Sequence, residues 1–168
     1  MNSAERNAQA RLGRLHYAVL KRDCADVRYQ LQQGADVIAK NQDGDTALHM
    51  LRHPEKRSSL RGASGNGHEE VVILQLGTAD KRCFRAVDAA GNTPLMSCLN
   101  APDVHIDVIM TLMELEQEVF VNGIDFDILN NENESALDLA FASGRPDFVE
   151  VICSCHYRNG LTVSATST

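Results

Sequence analysis

Asp43-Gly44-Asp45-Thr46-Ala47-Leu48-His49 and, further along, Asp88-Ala89-Ala90-Gly91-Asn92-Thr93-Pro94-Leu95 decide how this chain is read. In both, a glycine suited to a tight turn is followed two residues later by a threonine and then by an apolar run. A hydroxyl side chain at that place caps the free N–H groups of a starting helix, and Pro94 stands at a first helical position, where its missing N–H does no harm. Upstream, Leu15-His16-Tyr17-Ala18 follows the same order, and downstream so does Glu134-Ser135-Ala136-Leu137-Asp138-Leu139-Ala140. Ser135 with Asp138 has the form of a capping box. Four helix openings are therefore expected.

A second apolar run trails each opening: Val27, Tyr29, Leu31; then Val71, Val72, Leu74, Leu76; then Ile106, Val108, Ile109, Leu112, Met113; then Phe148, Val149, Val151, Ile152. Spacings of three and four place these on one helical face, so each unit has two helices. After the second helix, Gly34-Ala35-Asp36-Val37 and Gly123-Ile124-Asp125-Phe126 provide a glycine for a left-handed cap and the same connector twice. His16 and His49 lie 33 residues apart, whereas Thr46 and Thr93 lie 47 apart and Thr93 and Ser135 lie 42 apart. A period of 20 to 50 residues signals stacked supersecondary units.

These residues resemble the ankyrin repeats, with the match running from about Leu12 to Cys155. The resemblance implies an all-α fold, an ankyrin-repeat solenoid of helix-turn-helix units carrying β-turn fingers. The expected organisation is an N-terminal extension over 1-11, a repeat domain over 12-157 (units near 12-40, 41-87, 88-129 and 130-157), and a flexible tail over 158-168. The two longer units hold insertions, expected at the surface because stacked interfaces leave no interior room. Pro54 cuts the first helix of the second unit short, and Glu55 to Gly67 follows as a loop. In the third unit, Glu114-Leu115-Glu116-Gln117-Glu118 extends the second helix. Met96 and Asp138 replace the histidine found at His16 and His49, and Leu51 and Arg52 replace two small residues, so the second unit's packing is adjusted.

Composition narrows the function. Hydrophobic residues at 43% and charged residues at 23% describe a globular chain, and no apolar run approaches the ~20 residues of a membrane span. With 16 Lys+Arg against 23 Asp+Glu, a net charge of −7 repels phosphate backbones, so no nucleic-acid or membrane partner is expected. Met1 to Arg14 lacks the apolar stretch of a secretion signal and the five cysteines are unpaired in number, so a cytoplasmic setting is expected, or a host's cytoplasm or nucleus for a pathogen effector.

Motifs for chemistry fail one by one. Cys153-Ser154-Cys155-His156 supplies three metal-ligand types, but residues two apart on a helix face different ways. Cys24, Cys83 and Cys98 are scattered and suit small buried positions. Gly62-Ala63-Ser64-Gly65-Asn66-Gly67 lacks the Gly-Lys of a phosphate loop and the final glycine of a hydrolase elbow. Asp125-Phe126-Asp127 has neither the glycine nor the ligand order of a calcium loop. No cofactor, metal or catalytic residue is nominated.

Resemblance to the family implies a non-catalytic module, an adaptor or inhibitor that binds a partner protein on a concave surface of finger tips and first-helix ends, and whose small size would suit a pathogen- or virus-encoded mimic of a host regulator. The finger positions are Lys40, Gln42, Asp43 and Asp45; Ala89, Ala90 and Asn92; Asn131, Glu132 and Glu134. The helix-end positions are Leu20 and Lys21, His53, Asn100 and Ala101, and Ala142 and Ser143. Lys56, Arg57 and Arg61 form a basic island that could add loop contacts. The expected state is a monomer or one subunit of a hetero-complex, with an apolar end at Phe148 or Val151 as the surface through which two copies would pair. The alternatives are an enzyme using Ser64, His68 and Cys83 in the insertions, or an accessory domain of a larger polypeptide.

Overall fold

The computed structural model describes residues 13–53, 78, 80–120 and 124–164, with side chains described as far as Cys155 and that of Val119 left aside. Among these the chain is all-helical, with no strand. Its elements are α1 (Arg14–Leu20), α2 (Cys24–Gln32), a 3-10 helix (Ala47–Arg52), a second 3-10 helix (Lys81–Phe84), α3 (Pro94–Leu99), α4 (Ile106–Val119), α5 (Ala136–Ala142) and α6 (Pro146–Ser164). Helices pair as α1 with α2, α3 with α4 and α5 with α6. The first members also touch one another in series, α1 to the helix Ala47–Arg52, that helix to α3, and α3 to α5, while α4 meets α6 behind them.

α1 starts after Gly13 without a side-chain cap, and each later first helix starts at the hydroxyl residue that the sequence puts there, Thr46, Thr93 or Ser135. The Met96 N–H donates to Thr93 Oγ1 at 3.3 Å, and Ser135 and Asp138 exchange bonds as a capping box. At the second opening His49 takes part: its Nδ1 accepts from the Thr46 N–H at 3.2 Å. That fixes the imidazole proton on Nε2, which donates to the Asn92 carbonyl at 2.9 Å. His16 Nε2 bonds the Asp45 carbonyl at the same distance. Both histidines thus reach forward to the residue before the next helix's threonine. Burial holds both imidazoles below their ordinary value.

Three turns precede the later first helices and share one construction. In each, an Asn or Asp side chain accepts from two N–H groups further on: Asn41 from Asp43 and Asp45, Asp88 from Ala90 and Asn92, Asn130 from Glu132 and Glu134, all at 2.9 Å. The same residue's backbone N–H donates to the carbonyl four positions on. A left-handed residue closes each turn, Gly44 at φ +82°, Gly91 at +81° and Asn133 at +60°. Successive turns also touch: the Asn131 N–H donates to the Ala90 carbonyl at 2.9 Å, and Asn130 Nδ2 to Asn92 Oδ1 at 3.1 Å. At this junction Met96 has no polar reach of the kind His49 has, and the turn contacts provide the link.

The core between the two layers comes from Leu15, Val19, Val27, Leu48, Leu51, Leu95, Leu99, Ile109, Leu112, Leu139, Phe148 and Ile152, with Cys98 among them. Two arginines stitch neighbouring pairs. Arg22, at φ +53°, donates to the carbonyls of Val19, Leu51 and His53, and Arg145 reaches the Val104 carbonyl while its guanidinium lies 3.7 Å over the Phe148 ring.

Four expectations need correction. The extra residues before Asp88 are not all at the surface: Phe84, 2% exposed, joins Cys83, whose burial was expected, because the helix Lys81–Phe84 tucks against α3 and α4. The helix Ala47–Arg52 is wound as 3-10 rather than α, which fits the bulky Leu51 and Arg52 in that unit. Of the two residues expected at an exposed apolar end, Phe148 is fully buried and Val151 half-buried, while Phe141 is 60% exposed. Finally, α6 continues to Ser164, into the stretch expected to trail as a tail. The expectations for Glu55 to Gly67, for the helix through Val71 to Leu76 and for a cap at Gly123 lie outside the described residues.

Candidate functional site

Three first helices end side by side. The helix Ala47–Arg52 stops because Pro54 forbids helical backbone at the residue before it, and His53 is extended at φ −84°, ψ 117°. α3 stops at Asn100, and α5 at Ser143, whose hydroxyl turns back to donate to the Ala140 carbonyl at 2.7 Å. Stacking of these helices aligns their ends, and a groove runs across them in two parts. One is a cavity of about 450 Å³ bounded by Arg52, His53, Asp88, Ser97 and Asn100. The other, about 240 Å³, lies beyond Asn100, Ala101 and Pro102 and reaches Ala142, Ser143 and Arg145.

Charge at the larger cavity is organised by Arg52. Its guanidinium binds Asp45 in bidentate fashion at 2.7 and 2.8 Å, and lies 3.5 Å from Asp88. Burial would raise the Asp88 carboxyl, but donors from the Asn92 N–H, the Ser97 hydroxyl and the Ala90 N–H outweigh it and hold the group below the usual carboxylate range. Burial, helped by the positive Arg52, keeps the His53 imidazole below its ordinary value. In the smaller cavity Arg145 pairs with Asp147, leaving Leu99, Ala101, Pro102 and Ala142 as apolar walls.

The groove gathers six of the expected contact residues, His53, Asn92, Asn100, Ala101, Ala142 and Ser143, although Asn92 is only 8% exposed at its wall. Asp45 and Asn92 are corrections. At 1% and 8% exposure they are structural: Asp45 is held by Arg52, and Asn92 joins His49 to Asn130. Ala89 and Ala90 are exposed, yet their carbonyls receive Asn131, so these three residues also hold one turn to the next. Glu134 is half-buried and accepts from Asn130, while Glu132 is exposed. Lys40 and Gln42 border a separate concavity of about 490 Å³ between the first turn and the start of α1, with Asp43 exposed beside them. Leu20 rests against the core and the Lys21 ammonium sits 5.7 Å over the Tyr17 ring. Lys56, Arg57, Arg61, Ser64 and His68 lie outside the described residues.

Sequence reasoning missed Arg52, Asp88 and Ser97 as groove residues. The available signal was Arg52 itself, a charge standing where small residues were expected, seven residues after Asp45. Cys83 is enclosed, and burial pushes its thiol up to about 12, so it carries no thiolate at neutral pH. Among the described residues no three His, Cys, Asp or Glu side chains gather where they could hold a metal ion, and no helix is long and apolar enough to cross a membrane. Set against known protein families and curated proteins, the chain matches none.

Proposed function

We propose that the chain is an ankyrin-repeat stack that works as a non-catalytic protein-binding module, an adaptor or inhibitor acting by occupying a partner's surface. The observation that carries this reading is the groove itself. It is assembled from the ends of consecutive first helices, His53, Asn100, Pro102 and Ala142 are exposed along it, and its floor is fixed by the Asp45-Arg52-Asp88 network. The three turns of one construction and the forward bonds of His16 and His49 support the repeat assignment. A rigid row of units with replaceable surface residues suits recognition of another protein. The enzyme reading loses Cys83, the one of its three candidates that lies among the described residues, to burial.

The test is affinity capture with the full chain, its Asn100→Arg and Ala142→Trp variants, and a variant lacking 55–67. A partner held by the parent and lost from the two groove variants carries the reading. Equal retention by all of them, or turnover of a small molecule that depends on the 55–67 segment, sinks it.

A further inference from the structure

Near the end of α4, Glu114, Gln117 and Glu118 face solvent, but Glu116 is 4% exposed. Segment 81–85 lies against this end of the helix. Its Arg85 guanidinium rests 3.8 Å over the Phe120 ring with Nε 3.7 Å from the Glu116 carboxylate, and the Lys81 ammonium lies 5.9 Å from the same ring. Cys83, fully buried, is close enough to feel the Glu116 charge. At 3.7 Å the Arg85 contact is longer than a hydrogen bond, and Asp125, beyond α4, opposes a charge on Glu116. Arg82 on the segment is exposed and pairs with Asp80. The other elements against α4 bring no cation to Glu116: α3 has the Cys98 thiol alone, and α6 up to Cys155 has Asp147, paired with Arg145, the exposed Glu150 and the thiols of Cys153 and Cys155. Burial therefore prevails, and the carboxyl is pushed up to about 7.

We propose that Glu116 is the catch of a pH-sensitive latch: segment 81–85 lies shut on α4 in acidic solution and opens progressively more often as the pH rises through neutrality, admitting water to Glu116 and uncovering Cys83. A carboxylate is far costlier in a buried place than in water, so an opening that wets it is favoured once the proton has gone. The wall that yields is the weaker one. α4 has 14 residues and also packs on α3 and α6, whereas Lys81–Phe84 is a four-residue 3-10 helix, a form with poorer hydrogen-bond geometry. Linkage sets the direction. The shut state holds the proton more tightly than the open one, so closure is strongest below the ordinary value of 4.5 and is lost as pH rises through about 7.

The test is modification of the full chain by N-ethylmaleimide, followed at Cys83 and Cys98 by peptide mass spectrometry at pH 6 and pH 8. Each rate is divided by that of the same cysteine in the urea-unfolded chain at the same pH, which removes the thiol's own ionisation. Cys98, equally buried in α3, reports opening of the whole fold. Cys83 is expected to lose protection about tenfold from pH 6 to pH 8, the change produced by a carboxyl at about 7 when shut and 4.5 when open. Its protection should stay about tenfold or more below that of Cys98 and respond little to dilute urea, because a local opening exposes little surface. In Glu116→Gln, which keeps the side chain's shape and lacks the titrating group, the pH dependence should vanish. Protection at Cys83 that is the same at both pH values, that still changes in folded Glu116→Gln protein, or that equals the protection of Cys98 overturns the proposal, equality placing the effect in unfolding of the whole chain. The comparison within the parent needs no variant, so it decides the matter even if Glu116→Gln fails to fold.

Discussion

His49 shows how much one side chain can carry. It is fully buried, caps its own helix through Nδ1 and grips the next unit through Nε2. Replacing it by Ala strands the Thr46 N–H and the Asn92 carbonyl, so a loss of about 2–4 kcal/mol is expected in urea unfolding, with Gln retaining part of it. Its proton linkage has a definite sign. A histidine whose folded value lies below its ordinary 6.5 contributes stability that is present above pH 6.5 and is lost as pH falls below it. Glu116 works the other way. It is 4% exposed, burial pushes its carboxyl up to about 7, and Arg85, with Nε 3.7 Å away, only partly offsets this. Its contribution is complete below the ordinary value of 4.5 and is lost as pH rises through about 7. Glu116→Gln should therefore stabilise the protein above pH 7 by up to about 3 kcal/mol and do little at pH 4, as read from urea midpoints at the two pH values. A parent and variant with parallel pH profiles would show that the carboxyl titrates alike in the folded and unfolded states.

At the scale of the element, two left-handed glycines, Gly44 in a turn and Gly34 just after α2, make a graded prediction. A methyl on Gly44 would meet the Ala89 backbone nitrogen at 2.8 Å as well as forcing a non-glycine residue to φ +82°. On Gly34, at φ +80°, it would meet nothing within 4 Å. Gly34→Ala should cost about 1 kcal/mol from backbone strain alone, and Gly44→Ala distinctly more, because the turn after it must also move. Equal costs in denaturant melts would mean that the turns do not touch in solution. The glycines and the helix openings were legible in the sequence because turn chemistry and capping act within a few residues. The shared Asn/Asp at positions 41, 88 and 130 was visible too, but its side chain's double acceptance depends on the turn's closed shape, which no pattern of hydrophobicity records. The Lys81–Phe84 helix escaped for a related reason. Cys83 was expected to be buried, but Phe84 stands in a short polar stretch, and only the space beside α3 and α4 makes the segment a helix of the core.

For the whole molecule, a chain of pairs that touch only their neighbours should respond locally to a broken junction. Arg22 joins the first pair to the second through the carbonyls of Leu51 and His53. Gly144 occupies the matching left-handed position in the last pair, so Arg22→Gly keeps the backbone comfortable and removes only the side-chain bonds. Hydrogen exchange of α1 and α2 should then quicken about tenfold or more while α5 and α6 keep their protection. A uniform increase along the chain would mean a single cooperative block instead of a series.

What the sequence determined by itself is the set of local events: where helices open, where turns reverse and which face of each second helix is apolar. Those are decided by side chains within one or two turns of each other, through capping, φ preference and amphipathic spacing. Only the tertiary structure decided which polar residues border the groove and which hold the units together. Asp45 and Asn92 share the exposed-looking composition of their neighbours, yet they are buried because His16 comes to Asp45, and His49 and Asn130 come to Asn92, from other units, while Arg52 closes on Asp45 from within its own. Burial of a polar group depends on a donor or acceptor arriving from far along the chain, and the separations of 38 and 43 residues between such partners lie beyond any local reading.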